Sequence, residues 1–291
     1  MAELRLLAVH AHADDETITM GGLLATCADR GVRTAVICCT DGKRASIVDP
    51  DMPEEATRPR LAEIRREELR RACAILGVSE VHFLEYGDSG MAGEETNQAD
   101  DAFWSADLHE ATGRIVSHIR SFRPHVVVTY DANGAYGHPD HIQAHRATLL
   151  AVEAAHLGVL YTDSGAPWRV SKLYYTAFPL SAMERVRDDA IAAGLDPPFG
   201  DLKPEDMPFL TPDELVTTRI PVQDGVLRKR EALRAHRSQI GPDWPMLVMP
   251  DEMAVKGMGT EYFQLALSRV PPSLPETDVF AGVEAGEAGI T

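Results

Sequence analysis

Two short clusters in this chain hold the residue types from which a hydrolytic metal site is made. The first is His10-Ala11-His12-Ala13-Asp14-Asp15-Glu16 and the second, far along the chain, is Gly137-His138-Pro139-Asp140-His141. Zinc accepts imidazole nitrogen and carboxylate oxygen, and a catalytic site leaves one position open for water or substrate. His12 and Asp15, on one tight turn, can reach a single ion, and either His138 or His141 would complete a three-ligand set. Asp14, next to Asp15, would face the attacking water as general base. Plainer readings attach to the neighbours. His10 reads as a packed strand-end residue, and Glu16 as a carboxylate near a helix N-terminus. His145, one helical turn after His141, reads as a supporting or surface residue.

The elements around the clusters explain how they could meet. Each follows an apolar run that reads as a buried strand, residues 4–9 before the first and 124–130 before the second. In open α/β sheets ligands bind at the carboxyl ends of the strands. Further strands are expected over 32–39 and 81–84, and helices over 22–30, 60–76, 107–122 and 140–156. That alternation predicts an α/β fold, Rossmann-like, with a mainly parallel sheet and flanking helices. Later the pattern is mixed, with strand-like stretches at 172–178 and 215–222 and helices at 181–193 and 225–240. The expected organisation is a catalytic domain over 1–166 and a smaller mixed C-terminal lobe over 167–291 that closes the site. Helix 225–240 would pack back on the first domain. The acidic stretch from Pro271, poor in large apolar residues, reads as a mobile tail.

Composition excludes several classes. A net charge of −17 over 291 residues argues against a nucleic-acid surface, which needs clustered Lys and Arg. No apolar run approaches the roughly 20 residues that span a bilayer, so no membrane contact is expected. Met1-Ala2-Glu3 lacks the basic and apolar regions of a signal peptide. Cys27, Cys38, Cys39 and Cys73 lack the spacing of a metal or redox pair and read as reduced core residues of a cytoplasmic protein. No glycine-rich dinucleotide fingerprint or phosphate loop is present. A homo-oligomer is left open.

His12-Ala13-Asp14-Asp15-Glu16 together with His138-Pro139-Asp140-His141 resembles the paired motifs of the LmbE-like, PIG-L-type zinc de-N-acetylases. The run from Tyr130 to His141 is similar to the mycothiol branch, which contains N-acetylglucosaminyl-inositol deacetylase and mycothiol S-conjugate amidase. The resemblance implies His12, Asp15 and His141 as ligands of one zinc per chain, with ferrous iron able to substitute. It implies Asp14 as general base and His138 as the imidazole that assists the leaving amine or stabilises the oxyanion. Asp140 would orient His138, Tyr136 would polarise the amide carbonyl, and Arg65 and Asp88 would hold hydroxyls of the sugar substrate. A rival reading for Arg65 is a solvated charge on a helix face. Ala13 stands where the family usually has Pro, which removes a backbone restraint.

The implied function is removal of the N-acetyl group from a glucosamine-containing small molecule, most simply N-acetylglucosaminyl-inositol. Thr19, Gly137 and the run from Asp88 to Gly93 match the deacetylase type, whereas the segment from Glu63 to Arg66 matches the amidase. Alternatives are the amidase, deacetylation of another N-acetylglucosaminide or glycosylated natural product, and a non-catalytic metal-containing sugar-binding protein. The last has no use for Asp14 and His138 beside the metal.

Overall fold

In the computed structural model, residues 3–194, 196–197, 200 and 202–285 are described. The apolar runs become β1 (Arg5–His10), β2 (Arg33–Thr40), β3 (Glu80–Tyr86) and β4 (Val126–Thr129). The intervening helices are α1 (Asp15–Asp29), α2 (Leu61–Leu76), α3 (Leu108–Phe122) and α4 (Pro139–Ala154). After them come β5 (Lys172–Ala177), α5 (Leu180–Ala192), β6 (Thr218–Pro221), α6 (Val226–Ala235), α7 (Asp251–Met258) and β7 (Thr260–Ser268). All seven strands form one sheet in the order β3-β2-β1-β4-β5-β7-β6. The first five are parallel, and β7 runs antiparallel to both β5 and β6. This is the expected Rossmann-like α/β arrangement with a mainly parallel sheet.

Burial on both faces explains why the strands read as continuous apolar runs. In β1, Leu6 and Ala8 face Met20 and Leu24 of α1 and Leu69 of α2, while Leu7 and Val9 face Ile115 of α3 and Ala144 of α4. The chain leaves β1 towards β2 but leaves β4 towards β5, so the strand order reverses between β1 and β4. That reversal opens a crevice at the strands' carboxyl ends, and both His/Asp clusters lie there. Among the described residues, no helix is long and apolar enough to cross a membrane. All four cysteines are buried and unpaired.

Residues beyond 166 add β5, β6 and β7 to the same sheet and lay α6 against α1 and α2. Several expectations need correction. The first helix starts at Asp15, well before residue 22, and is interrupted at Met20 (φ −146°, ψ 21°). Beyond the break, the N–H groups of Gly22 and Leu23 donate to the Glu261 carboxylate at 2.8 and 2.7 Å, which caps the second half separately. The helix expected over 225–240 stops at Ala235, because His236 turns out of it (φ −87°, ψ 51°). Strand β7 was not anticipated, since its inward positions alternate Glu261 with Phe263 and break the apolar pattern.

The stretch from Pro271 to residue 285 is fastened, not loose. Glu276 is buried with Lys172 at 2.6 Å, and the Tyr174 hydroxyl donates to its other oxygen. Its backbone also bridges to Thr217 and Arg219, and Val279 and Phe280 enter the core. Residues 286–291 of the expected tail lie outside the described residues.

Candidate metal centre

The turn after β1 is held by Tyr130, by Arg65 and by a bond within itself. The Ala11 N–H donates to the Tyr130 hydroxyl at 2.8 Å, and that hydroxyl donates to Asp15 Oδ2 at 2.6 Å. The His12 N–H donates to the same carboxylate oxygen at 2.9 Å. Arg65, from α2, donates to the Ala13 carbonyl at 2.8 Å and to the Gly42 carbonyl at 3.0 Å. The Arg65 bond fixes the peptide that follows Ala13. Asp14 sits at the N-cap of α1 with φ 122°, and its side chain makes no cap bond. A non-glycine residue in that region costs about 1–3 kcal/mol and persists only where its surroundings fix it.

The second cluster is built by the start of α4. His138 is the N-cap residue, with Pro139 at the first helical position. Its Nδ1 accepts the Asp140 N–H at 3.1 Å, so a neutral His138 ring carries its proton on Nε2. One turn into the helix, His141 stacks on Tyr130 with ring centroids 4.1 Å apart. Gly134 permits the approach of the preceding loop, since a Cβ there would lie 2.6 Å from the His141 Cβ.

The crevice brings three donor atoms together. His12 Nδ1 lies 3.2 Å from His141 Nε2 and 3.6 Å from Asp15 Oδ2, and the last two are 3.5 Å apart. Bond lengths of 2.0–2.1 Å around a tetrahedral ion place its ligand atoms about 3.3–3.4 Å apart. The triangle therefore fits one face of such an ion. A ring nitrogen of His138 is also near His12 and His141, and Asp88 and Asp140 gather on the far side of His12. Those two carboxylates are already engaged. Asp140 accepts the Ser89 N–H at 2.9 Å and the Ser89 hydroxyl, and Asp88 accepts the N–H groups of Gly90 and Arg44.

The Asp140 carboxylate meets His12 Nε2 at 3.2 Å, while its backbone N–H donates to His138 Nδ1 and its charge favours the protonated form of that ring. A carboxylate on the second nitrogen of a ligating histidine fixes the tautomer that presents the first. Arg65 is 3% exposed, which removes the reading as a solvated charge; its Nη2 also lies 3.6 Å from Asp14 Oδ1. Asp88 is buried 3.8 Å from His12 Nε2. Tyr136 is 40% exposed at the mouth, in a turn where Ala135 has φ 61°. His10 packs its ring edge against Tyr130, and His145 Nδ1 lies 3.0 Å from the Tyr130 carbonyl. Tyr130 and Ser89 were missed as site residues. The apolar run over 124–130 gave a signal for a core tyrosine but none for its hydroxyl partner.

Electrostatics separate the adjacent carboxylates. Burial pushes Asp14 up to about 7, with Arg65 opposing and Asp15 adding to the shift. Burial acts on Asp15 in the same sense, but His141 and His12 outweigh it and hold Asp15 well below the usual range. Burial lowers His138 to about 4 and His141 to about 3, so both rings are neutral near pH 7. Burial also disfavours charge on His12, yet Asp140, Asp15 and Asp88 together raise it well above 6.5.

A separate cavity of about 580 Å³ lies between α1, α5 and α7, lined by Ile18, Met183, Trp244, Met249, Met253 and Tyr262 among others. None of the metal-centre residues lines it, but it shares the first turns of α1 with them.

Comparison with known proteins agrees with this geometry. The family model described as PIG-L, GlcNAc-PI de-N-acetylase, matches residues 7–152, a span that contains both clusters. The chain is 40% identical over 287 residues to the 1D-myo-inositol 2-acetamido-2-deoxy-alpha-D-glucopyranoside deacetylase of Geodermatophilus obscurus, covering 96% of this chain and 98% of the relative. It is 41% identical over 295 residues to the protein of that name from Acidothermus cellulolyticus, covering 98% and 97%. Among solved structures, N,N'-diacetylchitobiose deacetylase from Pyrococcus horikoshii matches with TM-score 0.59 and 18% identity, over 90% of this chain and 83% of that one. The 4-carboxy-2-hydroxymuconate hydratase GalB of Pseudomonas putida matches with TM-score 0.60 and 18% identity, over 93% and 99%. A hydratase and a deacetylase on one fold mean that likeness at this level carries the fold alone. The family model across both clusters, and relatives near 40% identity along almost the whole chain, carry more: this chain belongs to the PIG-L family.

Proposed function

We propose that this chain is a zinc-dependent N-deacetylase that hydrolyses the acetamide of N-acetylglucosaminyl-inositol, releasing acetate and the free amine. The observation that carries the reading is the triangle of His12 Nδ1, His141 Nε2 and Asp15 Oδ2 with Asp14 beside it. The curated relatives named for that substrate support the choice of sugar. Bound zinc would supply Lewis acidity towards both water and the amide carbonyl. Ferrous iron suits the same ligand types.

The roles of the residues follow from their surroundings. Asp14, free of cap bonds and near neutrality in its proton affinity, takes the proton of the attacking water. His138, neutral and with Nδ1 occupied, offers Nε2–H as a donor to the oxyanion or to the departing nitrogen. Tyr136, exposed at the mouth, offers its hydroxyl to the same carbonyl oxygen. Asp88 and Arg65 are the proposed contacts for substrate hydroxyls, and Arg65 also steadies Asp14. Asp140 acts on His12. An Asp140→Asn change is expected to weaken zinc binding about 10–100-fold, measured by competition with a fluorescent chelator. Unchanged affinity would detach Asp140 from the metal's support.

One observation favours a second reading. The methionine-lined cavity beside α1 suits an apolar substituent, which a mycothiol S-conjugate carries and inositol does not. The test is kcat/KM for both substrates on one zinc-loaded preparation, since specificity is the ratio of these constants. The proposal predicts the larger value for N-acetylglucosaminyl-inositol; a larger value for the conjugate would make the chain an amidase.

A further inference from the structure

Glu16 lies one residue beyond Asp15, yet it does not simply face the helix N-terminus from solvent. It is fully buried, and so is His236, far along the chain. His236 Nε2 lies 3.0 Å from Glu16 Oε1, and Glu16 Oε2 accepts the Asp14 N–H at 3.0 Å. The Thr17 hydroxyl also donates to Glu16 Oε1 and lies 3.4 Å from His236 Nε2. The other ring nitrogen of His236, Nδ1, is buried with no partner. The imidazole therefore works through Nε2 alone, and its shorter contact leads through the Glu16 carboxylate to the backbone N–H of Asp14.

The support behind His236 is equally specific. The chain leaves α6 at His236, and the next turn is tied to α2. There the Ser238 N–H and hydroxyl donate to the two oxygens of buried Glu68 at 2.8 and 2.6 Å. Arg65, which donates to the Ala13 carbonyl and lies beside Asp14 Oδ1, projects from the preceding turn of the same helix. Burying a carboxylate costs several kcal/mol unless it is paired and hydrogen-bonded. A helix cap in solvent would avoid that cost. The buried pair instead coincides with the one residue of the turn in a costly backbone conformation, Asp14 at φ 122°.

We infer that His236 is a positioning residue: through Glu16 it holds Asp14 in the strained backbone conformation that aims the general base into the site. The C-terminal part of the chain thus contributes to turnover without touching substrate or metal. This inference rests on the role of Asp14 proposed above. It predicts that losing the His236 contact lowers kcat and leaves both KM and zinc content nearly unchanged: Asp15, although next to Asp14, is held separately by the Tyr130 hydroxyl and the His12 N–H, and Arg65 by the Ala13 and Gly42 carbonyls.

The experiment uses the full-length, zinc-loaded enzyme and three variants: His236→Leu, His236→Gln and Glu16→Gln. Glu276→Gln, in the distant Lys172–Glu276 pair, serves as a control that loosens the C-terminal part without touching the turn. His236→Leu is expected to lose about 10–30-fold in kcat, in line with the sensitivity of catalysis to small displacements, at unchanged zinc content. His236→Gln, whose amide N–H can replace Nε2–H, is expected to return kcat to within about 3-fold of the parent. Hydrogen exchange read by mass spectrometry adds a signal independent of activity. The peptide containing Asp14 should exchange faster in His236→Leu, near parent rates in His236→Gln, and unchanged in Glu276→Gln. If His236→Leu does not fold, isosteric Glu16→Gln carries the test, since its side chain has one acceptor oxygen where Glu16 offers two to the Asp14 N–H, His236 and the Thr17 hydroxyl. Parent-like kcat and exchange in these variants would overturn the inference, and so would a kcat loss that Glu276→Gln reproduces. A parent enzyme that releases no acetate would instead remove the proposed function, and the exchange measurements would still decide whether His236 holds the turn.

Discussion

An Asp14→Asn enzyme is expected to keep its zinc and to lose about 100-fold or more of its turnover, the usual loss when a positioned general base is removed. The two neighbouring carboxylates differ in what surrounds them. Asp15 turns inward, accepts the Tyr130 hydroxyl and the His12 N–H, and lies within 3.6 Å of both imidazole donors. Asp14 makes no cap bond and has Arg65 as its nearest cation at 3.6 Å. Burial, only partly offset by Arg65, is what brings its proton affinity close to neutrality, where a base works best. Asn is nearly isosteric, so the backbone bond to Glu16 survives and the loss should appear in kcat. Asp15→Asn should weaken metal binding first. If Asp14→Asn lost its zinc while Asp15→Asn retained it, the two roles would be reversed.

Replacing His12 or His141 with Ala is expected to remove most bound zinc and, with it, nearly all activity. Each supplies one corner of a three-ligand set, and two remaining ligands do not hold a catalytic ion well. The variants should differ in stability. His12→Ala leaves Asp140 and Asp88 without the imidazole they share, and a buried carboxylate that loses its partner destabilises the fold. His141→Ala removes a ring stacked on Tyr130 and leaves the hydroxyl bond of Tyr130 to Asp15 in place. Elemental analysis and chelator competition on both variants measure the metal term. Full zinc in both would remove them from the ligand set.

Much of the fold was legible because the central strands β1, β2 and β4 are nearly unbroken apolar runs and α2 and α3 carry clear apolar stripes. Gly77, at φ 79°, ends α2 where the sequence placed its stop, and Asp107 caps α3 by accepting the Glu110 N–H. The later elements were harder for a physical reason. They bury charges in pairs, Lys229 with Glu261 and Lys172 with Glu276, so their inward positions do not look inward. Strand β7 went unseen, and the segment around Glu276 looked loose on that account.

The candidate site divides in the same way. Both clusters and their position after strands could be read directly, because neighbouring residues carry the donors. Partnerships across long sequence separations could not. Tyr130 with Asp15, Ser89 with Asp140 and His236 with Glu16 depend on the strand order, and no local pattern records them. The link from Asp140 to His138 is what the family resemblance implies; that the helix also turns the Asp140 carboxylate towards His12 depends on the strand order.

The most direct measurement follows acetate and free amine released from N-acetylglucosaminyl-inositol while a chelated preparation is titrated with zinc. The account predicts no turnover in the chelated enzyme. Activity should rise to a plateau near one zinc per chain, with one acetate formed for each amine. Full activity after chelation, or a fully loaded enzyme that forms neither product, would contradict it.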